Sequence, residues 1–244
     1  MKKPIINDSE IESMQGYLMV KEFNLLEAIA SYFLKTERID VVEIGAFCGK
    51  STTAIALGLK TRNDSSYLYS IDWHQGSPEH REDEKFQGTL EVFRQNLQKF
   101  GVSSCVKEII GRSEDVVNLI PEQIALLWID GQHDYESVKQ DFLLYEKKVK
   151  QNGIILFHDA YKVDVWTGPL KLICQDILLS RNDYKLFVVA GTIIGLRKQE
   201  NNTSKIDIDI LGFLNYERYK NSRIFRGIDK ILDKYILSKY KFRV

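Results

Sequence analysis

Acidic and imidazole side chains recur in this sequence directly after short apolar runs, where they could bind a cation or move a proton. Asp72-Trp73-His74 follows one run, Asp130-Gly131-Gln132-His133 another, and His158-Asp159 a third. Carboxylate oxygens and imidazole nitrogens are ligands for divalent cations, and imidazole titrates in the range that suits a general base. Three of the chain's four histidines stand in these segments, and we therefore expect the segments to meet in one site.

A glycine loop, Gly45-Ala46-Phe47-Cys48-Gly49-Lys50-Ser51, follows the apolar run that ends in Glu43-Ile44. A chain that leaves a buried strand and passes close to a ligand needs glycine at such a turn. The loop has three residues between its glycines, whereas a phosphate-binding P-loop needs four, and the NAD fingerprint G-x-G-x-x-G is absent. The spacing counts against an NTPase but leaves a P-loop-like nucleotide-binding protein open. Lys50 is interpreted as a solvated helix start.

The elements that must position these residues alternate between β-rich runs and helical patterns, which predicts an α/β fold. We expect a Rossmann-like, doubly wound, mostly parallel seven-stranded sheet, preceded by an N-terminal helix and followed by a C-terminal helical extension. Gly191-Thr192 between two apolar runs predicts a final antiparallel hairpin. The predicted strands are 39–44, 67–71, 105–110, 124–129, 153–158, 185–190 and 192–197, and the helices 21–34, 51–61, 84–100, 135–148 and 167–180.

The chain divides into three predicted parts: an N-terminal helical cap at 1–38, a central domain at 39–199 and the C-terminal helical extension at 200–244. Apolar residues at helical spacing in the extension predict a helix that packs on the domain or on a second subunit, so a homo-oligomer is an open prediction. The polar segment 75–88 follows the second strand, and it is either a solvated loop or part of the cover of the site.

Composition narrows the class of partner. Lys and Arg number 34, and so do Asp and Glu, so no global field draws the chain to nucleic acid or to an acidic membrane. A small molecule is the expected partner. The 3 cysteines have no Cys-x-x-Cys spacing and no run has the length of a membrane span, which favours a cytoplasmic protein.

Each candidate residue has a structural alternative. Glu43 and Asp72 are either helix caps or the acids that hold a ribose diol and a cationic cofactor. Trp73 is either core or a stacking surface for a base. Asp130 and Asp159 are either turn residues or, with His158, ligands of a divalent cation. His133 is either a solvated loop histidine or a general base, and for it we favour the functional reading.

At this point the sequence resembles a family. The glycine loop, an acid after the second strand and Asp130 after the fourth are similar to the class I S-adenosylmethionine-dependent methyltransferases. The loop is particularly similar to that of catechol O-methyltransferase. The segments Ile129–Glu136 and Gly153–Asp159 resemble the enzymes that methylate sugar hydroxyls of macrolides. The resemblance covers residues 39–197.

The resemblance implies roles for the cofactor-binding residues. Gly45 and Phe47 would line the methionine part of S-adenosylmethionine, and Ser51 would meet its carboxylate. Asp72 would accept hydrogen bonds from both ribose hydroxyls, and Trp73 would flank the adenine, whose polar edge Ser113 would approach. Glu43 and Asp130 complete the expected set.

The resemblance also implies a metal site, in which Asp130, His158 and Asp159 would hold a divalent cation such as Mg²⁺, and His133 would take the proton from a substrate hydroxyl. The expected reaction is methyl transfer to a hydroxyl of a sugar or natural product. Family members often carry Asp-Asp or Asp-Asn where this chain has His158-Asp159, and imidazole is a softer ligand than Mg²⁺ prefers. A metal-independent methyltransferase, or a non-catalytic protein of an assembly, are the alternatives.

Overall fold

The computed structural model describes residues 6–33, 39–62, 65–76, 88–161 and 167–199. The predicted C-terminal extension, most of the 75–88 segment and the first residues of the predicted helix at 84–100 lie outside them.

A single mixed sheet forms the centre of the domain. Its strands are β1 (Asp40–Ile44), β2 (Tyr67–Asp72), β3 (Val106–Ile110), β4 (Ile124–Ile129), β5 (Val149–Phe157), β6 (Tyr184–Ala190) and β7 (Ile193–Lys198). They lie in the order β3-β2-β1-β4-β5-β7-β6. The pairs among β1 to β5 are parallel, whereas β7 pairs antiparallel with both β5 and β6. The predicted seven-stranded sheet with its final hairpin is therefore confirmed.

Helices connect the strands. They are α1 (Asp8–Ser13), α2 (Val20–Ala28), α3 (Lys50–Arg62), α4 (Leu90–Lys99), α5 (Ser113–Val116), α6 (Tyr135–Tyr145) and α7 (Gly168–Lys171). π-Helical turns extend α2 through Ile29–Phe33 and α7 through Leu172–Leu178. None of the described helices is long and apolar enough to cross a membrane.

The start of β5 differs from the prediction. The strand begins at Val149 rather than at residue 153, and its first residues include the polar Lys150, Gln151 and Asn152. The pairing with β4 shifts register between Ile124 and Leu126, so these polar residues lie in an irregular part of the strand. A search of the sequence for apolar runs does not detect such a segment.

The buried centre of the sheet fixes where the functional residues lie. All six residues of β4 are buried, which explains its continuous apolar run. Beyond its end, the Asp130 amide donates to the Ile44 carbonyl of β1 at 2.8 Å, and the His158 amide donates to the Ile129 carbonyl at 3.1 Å. The strand order reverses between β1 and β4, which is where ligands bind in open α/β sheets. The ends of β1, β4 and β5 therefore meet at this edge.

Candidate active site

The glycine loop after β1 passes very close to the end of β4. Gly45 has φ 87°, and a Cβ atom there would lie 2.1 Å from the backbone oxygen of Asp130. No other residue fits this position, because both the backbone angle and the space exclude a side chain. Phe47 also has a positive φ, of 48°, and its ring lies 5.8 Å from that of Tyr17. The loop is held tightly against the strand that carries Asp130.

Asp72, at the end of β2, fastens this loop. Its Oδ2 atom accepts hydrogen bonds from the amides of Ala46 at 2.8 Å and Phe47 at 2.7 Å. Its Oδ1 atom accepts from the His74 amide at 2.6 Å. A carboxylate has about four lone-pair sites, so three backbone donors leave little capacity for two ribose hydroxyls. Asp72 therefore has a structural role that the sequence did not show, and its ribose role stays a prediction.

Glu43 lies beneath the loop rather than in the site. It is 0% exposed and accepts hydrogen bonds from the hydroxyls of Ser51 at 2.5 Å, Thr52 at 2.6 Å and Ser70 at 2.7 Å. Burial raises the pKa of Glu43 to about 7, although the three hydroxyl donors favour the carboxylate. The Ser51 hydroxyl donates to Glu43 and the residue is 5% exposed, so both side chains have structural roles, and their contact with the cofactor stays a prediction.

Lys50 is buried at the start of α3, not solvated as expected. It is 7% exposed, and burial lowers its pKa. Its side chain lies along Gly16, and it makes no hydrogen bond or ion pair in the described part of the chain. The carboxylates of Glu12 and Glu22 act in the opposite direction and raise its pKa, so they provide the counter-charge that a buried ammonium needs.

Trp73 and Ser113 lie at the ends of β2 and β3, where the adenine was expected. Trp73 is 39% exposed, and the guanidinium of Arg112 lies 4.5 Å from the centre of its ring. The indole is therefore not core. Ser113 donates its hydroxyl to Asp141 of α6 at 2.5 Å, and its carbonyl accepts from the Tyr145 hydroxyl at 2.6 Å.

Asp130, His133 and Asp159 form the acid and imidazole cluster of the site. Each offers one ligand atom, and these atoms lie within 4.8 Å of one another. The Nε2 atom of His133 lies 3.3 Å from Oδ2 of Asp159 and 3.8 Å from Oδ1 of Asp130. Two carboxylates and one imidazole make a donor set that fits a divalent cation, so the residues present pass this chemical test.

His158, the third residue of the expected metal set, lies against the same two carboxylates, and its Nδ1 atom is 3.5 Å from Oδ2 of Asp159. It is 4% exposed, and its Nδ1 atom lies 2.9 Å from Oδ1 of Asp130. Its Nε2 atom lies 3.4 Å from Oε2 of Glu22, a fully buried residue of α2. Carboxylates therefore lie on both sides of the ring, an arrangement in which His158 can orient Asp130, and its role as a cation ligand stays a prediction.

Charge coupling dominates the pKa values of this group. Burial alone would lower the pKa of His133, but the nearby carboxylates of Asp130 and Asp159 outweigh it and raise the pKa to about 9. Burial likewise opposes charge on His158, yet Asp130 raises its pKa well above the usual value. The positive charge of His158 in turn holds the pKa of Asp130 below its usual value, against the effect of burial.

The expected meeting of the strand-end histidines is therefore only partly right. His133 and His158 both reach Asp130, whereas His74 turns away and its Nδ1 atom lies 2.7 Å from the Thr89 hydroxyl. Two buried acids were missed, Glu22 and Asp141. Asp141 carried a signal, since it falls on the apolar stripe of Val138, Phe142 and Tyr145 in α6. Glu22 lies in the first turn of α2 without any local sign of its contacts.

The sheet order, the glycine loop at the strand reversal and the acids beyond β2 and β4 define a class of protein. Residues 42–160 match the sequence model of a family described as a methyltransferase domain. This match supports a class I S-adenosylmethionine-dependent methyltransferase. This agrees with the resemblance seen in the sequence.

Individual relatives are less informative about the substrate. The chain is 29% identical over 227 residues to uncharacterized protein R132 of Acanthamoeba polyphaga mimivirus, covering 90% of this chain and 92% of that protein. It is 29% identical over 161 residues to a probable cobalt-precorrin-6B C(15)-methyltransferase (decarboxylating) of Methanocaldococcus jannaschii, covering 65% of this chain and 75% of that one.

Solved structures share the fold. The O-methyltransferase NovP has a TM-score of 0.62 at 16% identity, covering 75% of this chain and 81% of that chain. The O-methyltransferase TomG of Streptomyces achromogenes, solved with S-adenosylmethionine, has a TM-score of 0.54 at 17% identity, covering 75% and 82%.

Proposed function

We propose that the chain transfers the methyl group of S-adenosylmethionine to a hydroxyl of a small molecule, a sugar or a natural product, with help from a divalent cation. The observation that carries this proposal is the cluster of Asp130, His133 and Asp159 beside the glycine loop. When bound, S-adenosylmethionine supplies an electrophilic methyl group, and a divalent cation lowers the pKa of a hydroxyl and fixes its approach.

The residues of the cluster would have different roles in the reaction. Asp130 and Asp159 offer the two carboxylates that would hold the cation, and His158 keeps the Oδ1 atom of Asp130 in place at 2.9 Å. His133, on the same edge, would take the proton from the substrate hydroxyl, for which its ring must be neutral; a cation between Asp130 and Asp159 would oppose the effect by which these carboxylates raise its pKa. An aliphatic hydroxyl is a poor nucleophile at neutral pH, so an acceptor of this kind needs both a bound cation and a base.

The names of the relatives support the methyl transfer more than the acceptor. NovP and TomG are named O-methyltransferases, whereas the Methanocaldococcus protein is named a C-methyltransferase. We favour oxygen as the methyl acceptor because the cluster places cation ligands next to an imidazole. A hydroxyl acceptor requires both a cation and a base.

The test is methyl transfer from deuterated S-adenosylmethionine to a panel of sugars, glycosides and phenols, followed by mass spectrometry of the products with Mg²⁺ or with EDTA. We expect label on oxygen, a loss of at least tenfold in EDTA, and a similar loss in Asp159→Asn. Full turnover in EDTA would instead make the enzyme metal-independent. Label on carbon would contradict the hydroxyl acceptor.

A further inference from the structure

Helix α7 lies directly against the loop that carries His133. A Cβ atom on Gly168, the first residue of α7, would lie 2.3 Å from the carbonyl oxygen of His133 and 2.7 Å from the amide nitrogen of Tyr135. A separation under 3.0 Å is an overlap, and backbone atoms cannot move aside as the end of a flexible side chain can. Any residue other than glycine at position 168 would therefore displace the loop.

A second group of contacts joins α7 to the residue that follows this loop. Tyr135, the first residue of α6, donates its hydroxyl to Oδ2 of Asp176 at 2.5 Å, in the π-helical turn that extends α7. The ammonium of Lys139 lies 2.9 Å from the Tyr135 hydroxyl and 2.9 Å from Oδ2 of Asp176. The ammonium of Lys171 lies 3.9 Å from the centre of the Tyr135 ring. Hydrogen bonds and charge thus hold the start of α6 on α7.

His133 lies between these contacts and the carboxylates of the site. Residues 130–134 belong to neither a strand nor a helix, so no regular hydrogen-bond ladder sets the position of His133. Its Nε2 atom is nevertheless 3.3 Å from Oδ2 of Asp159 and 3.8 Å from Oδ1 of Asp130. A misplacement of about 1 Å can slow a catalytic step about 100-fold. The surface on which the loop packs therefore matters for the imidazole.

We infer that Gly168 is a positioning residue for His133, because its missing side chain lets the loop pack on α7 at the place from which the imidazole reaches Asp130 and Asp159. The inference rests on the proposed role of His133 as the base of the methyl transfer. Gly168 acts through the backbone of His133 and Asp134, which it contacts, and α7 thereby becomes part of the support of the site.

The experiment follows the ring signals of the histidines by NMR across a pH series, in EDTA and without cofactor or acceptor. The His133 signal is assigned from its loss in His133→Gln. The carboxylates of Asp130 and Asp159 raise the pKa of His133 to about 9 in the wild-type protein. In Gly168→Ala the displaced ring lies farther from both carboxylates, and we expect its measured pKa to fall by about 1 or more.

The matched control is Gly153→Ala. A Cβ atom at this position would lie 2.8 Å from the carbonyl oxygen of Lys150, so the overlap is again with backbone, but it lies in β5 and not against the His133 loop. Gly153→Ala should lose stability and keep the wild-type pKa of His133. An unchanged pKa in Gly168→Ala, or an equal fall in Gly153→Ala, would overturn the inference.

A milder variant decides the question if Gly168→Ala does not fold. Tyr135→Phe removes only the hydroxyl that joins α6 to Asp176, and the pKa of His133 should then fall by about 0.5. An unchanged pKa in Tyr135→Phe would overturn the inference in that case. No ligand takes part in these measurements, so a failure of methyl transfer with the panel of acceptors would contradict the proposed function alone.

Discussion

Asp72 has an observed role in the glycine loop and a predicted role in binding the ribose. It ties the amides of Ala46 and Phe47 to β2, so its loss would release the loop that faces the cofactor. We predict that Asp72→Ala weakens S-adenosylhomocysteine binding about 100-fold, by calorimetry, because two charge-assisted hydrogen bonds are lost. The control is Asp115→Ala, which removes an exposed acid of α5. Unchanged affinity in Asp72→Ala would contradict the predicted ribose role of Asp72.

Glu43 makes stability depend on pH. The folded state raises its pKa from 4.5 to about 7, so between these values the folded protein holds a proton that the unfolded chain has released. Stability from this group is therefore present at low pH and lost as pH rises through this window. We predict that Glu43→Gln gains about 3 kcal/mol relative to wild type between pH 4.5 and pH 8, measured as the urea unfolding free energy. Parallel pH profiles of the two proteins would contradict this.

The cation site can be tested without knowing the acceptor. We predict that Mn²⁺ binds the wild-type protein, as detected by calorimetry, and that Asp159→Asn weakens the binding at least tenfold because one of two carboxylates is lost. Asp134→Asn is the matched control, since Asp134 is an exposed cap of α6 and asparagine caps a helix equally well. Equal Mn²⁺ affinity of wild type and Asp159→Asn would remove the proposed cation site.

At the scale of elements, α2 is joined to the far end of the sheet through Glu22. The Oε1 atom of Glu22 accepts from the amide of Thr192 at 2.7 Å, in the turn between β6 and β7. Its Oε2 atom accepts from the Met19 amide at 2.9 Å and faces His158. Helix α2 therefore supports His158, the residue that orients Asp130, although α2 adds no strand to the sheet.

The contact between Glu22 and the turn that joins β6 to β7 predicts a large loss of stability when Gly191 is substituted. Gly191 has φ 65°, and a Cβ atom there would lie 2.1 Å from Oε1 of Glu22. Gly191→Ala should destabilise the protein by about 2–4 kcal/mol in urea unfolding. Gly101→Ala is the matched control, because Gly101 has φ 63° but its nearest contact would be a Lys60 Nζ atom at 3.5 Å. It should cost about 1 kcal/mol.

A second substitution isolates the clash from the backbone strain. In a Glu22→Ala background, Gly191→Ala should cost no more than Gly101→Ala, because the opposing carboxylate is gone. If Gly191→Ala cost the same with and without Glu22, the turn would not be coupled to α2 in the way described.

At the scale of the whole molecule, the strand ends were predictable and the directions of their side chains were not. Continuous apolar runs followed by polar loops gave the sheet, its reversal and the edge where the site lies, because buried parallel strands leave that pattern. Whether an acid or histidine at such an end turns outward depends on partners elsewhere in the chain. Glu43 turns inward to Ser70, His74 to Thr89 and His158 to Glu22. No local sequence pattern reports these contacts.

The cation and proton roles illustrate the same limit. Asp130 and Asp159 were expected together and lie together, and His133 joins them within the distance of a shared ion. His158 differs from His133 in that a carboxylate of α2 contacts its ring, and this residue, Glu22, lies 136 positions earlier in the chain. The predicted homo-oligomer contact and the cover of the site fall on residues outside the described ranges.

The central claim is that the edge between β1 and β4 holds a sulfonium cofactor and not a nucleoside triphosphate. Titration calorimetry of the purified protein with S-adenosylmethionine, S-adenosylhomocysteine and Mg²⁺-ATP tests it most directly. We predict one site per chain that binds both sulfur compounds at micromolar concentrations, with no heat from ATP. Tight binding of ATP together with no binding of either sulfur compound would contradict the account.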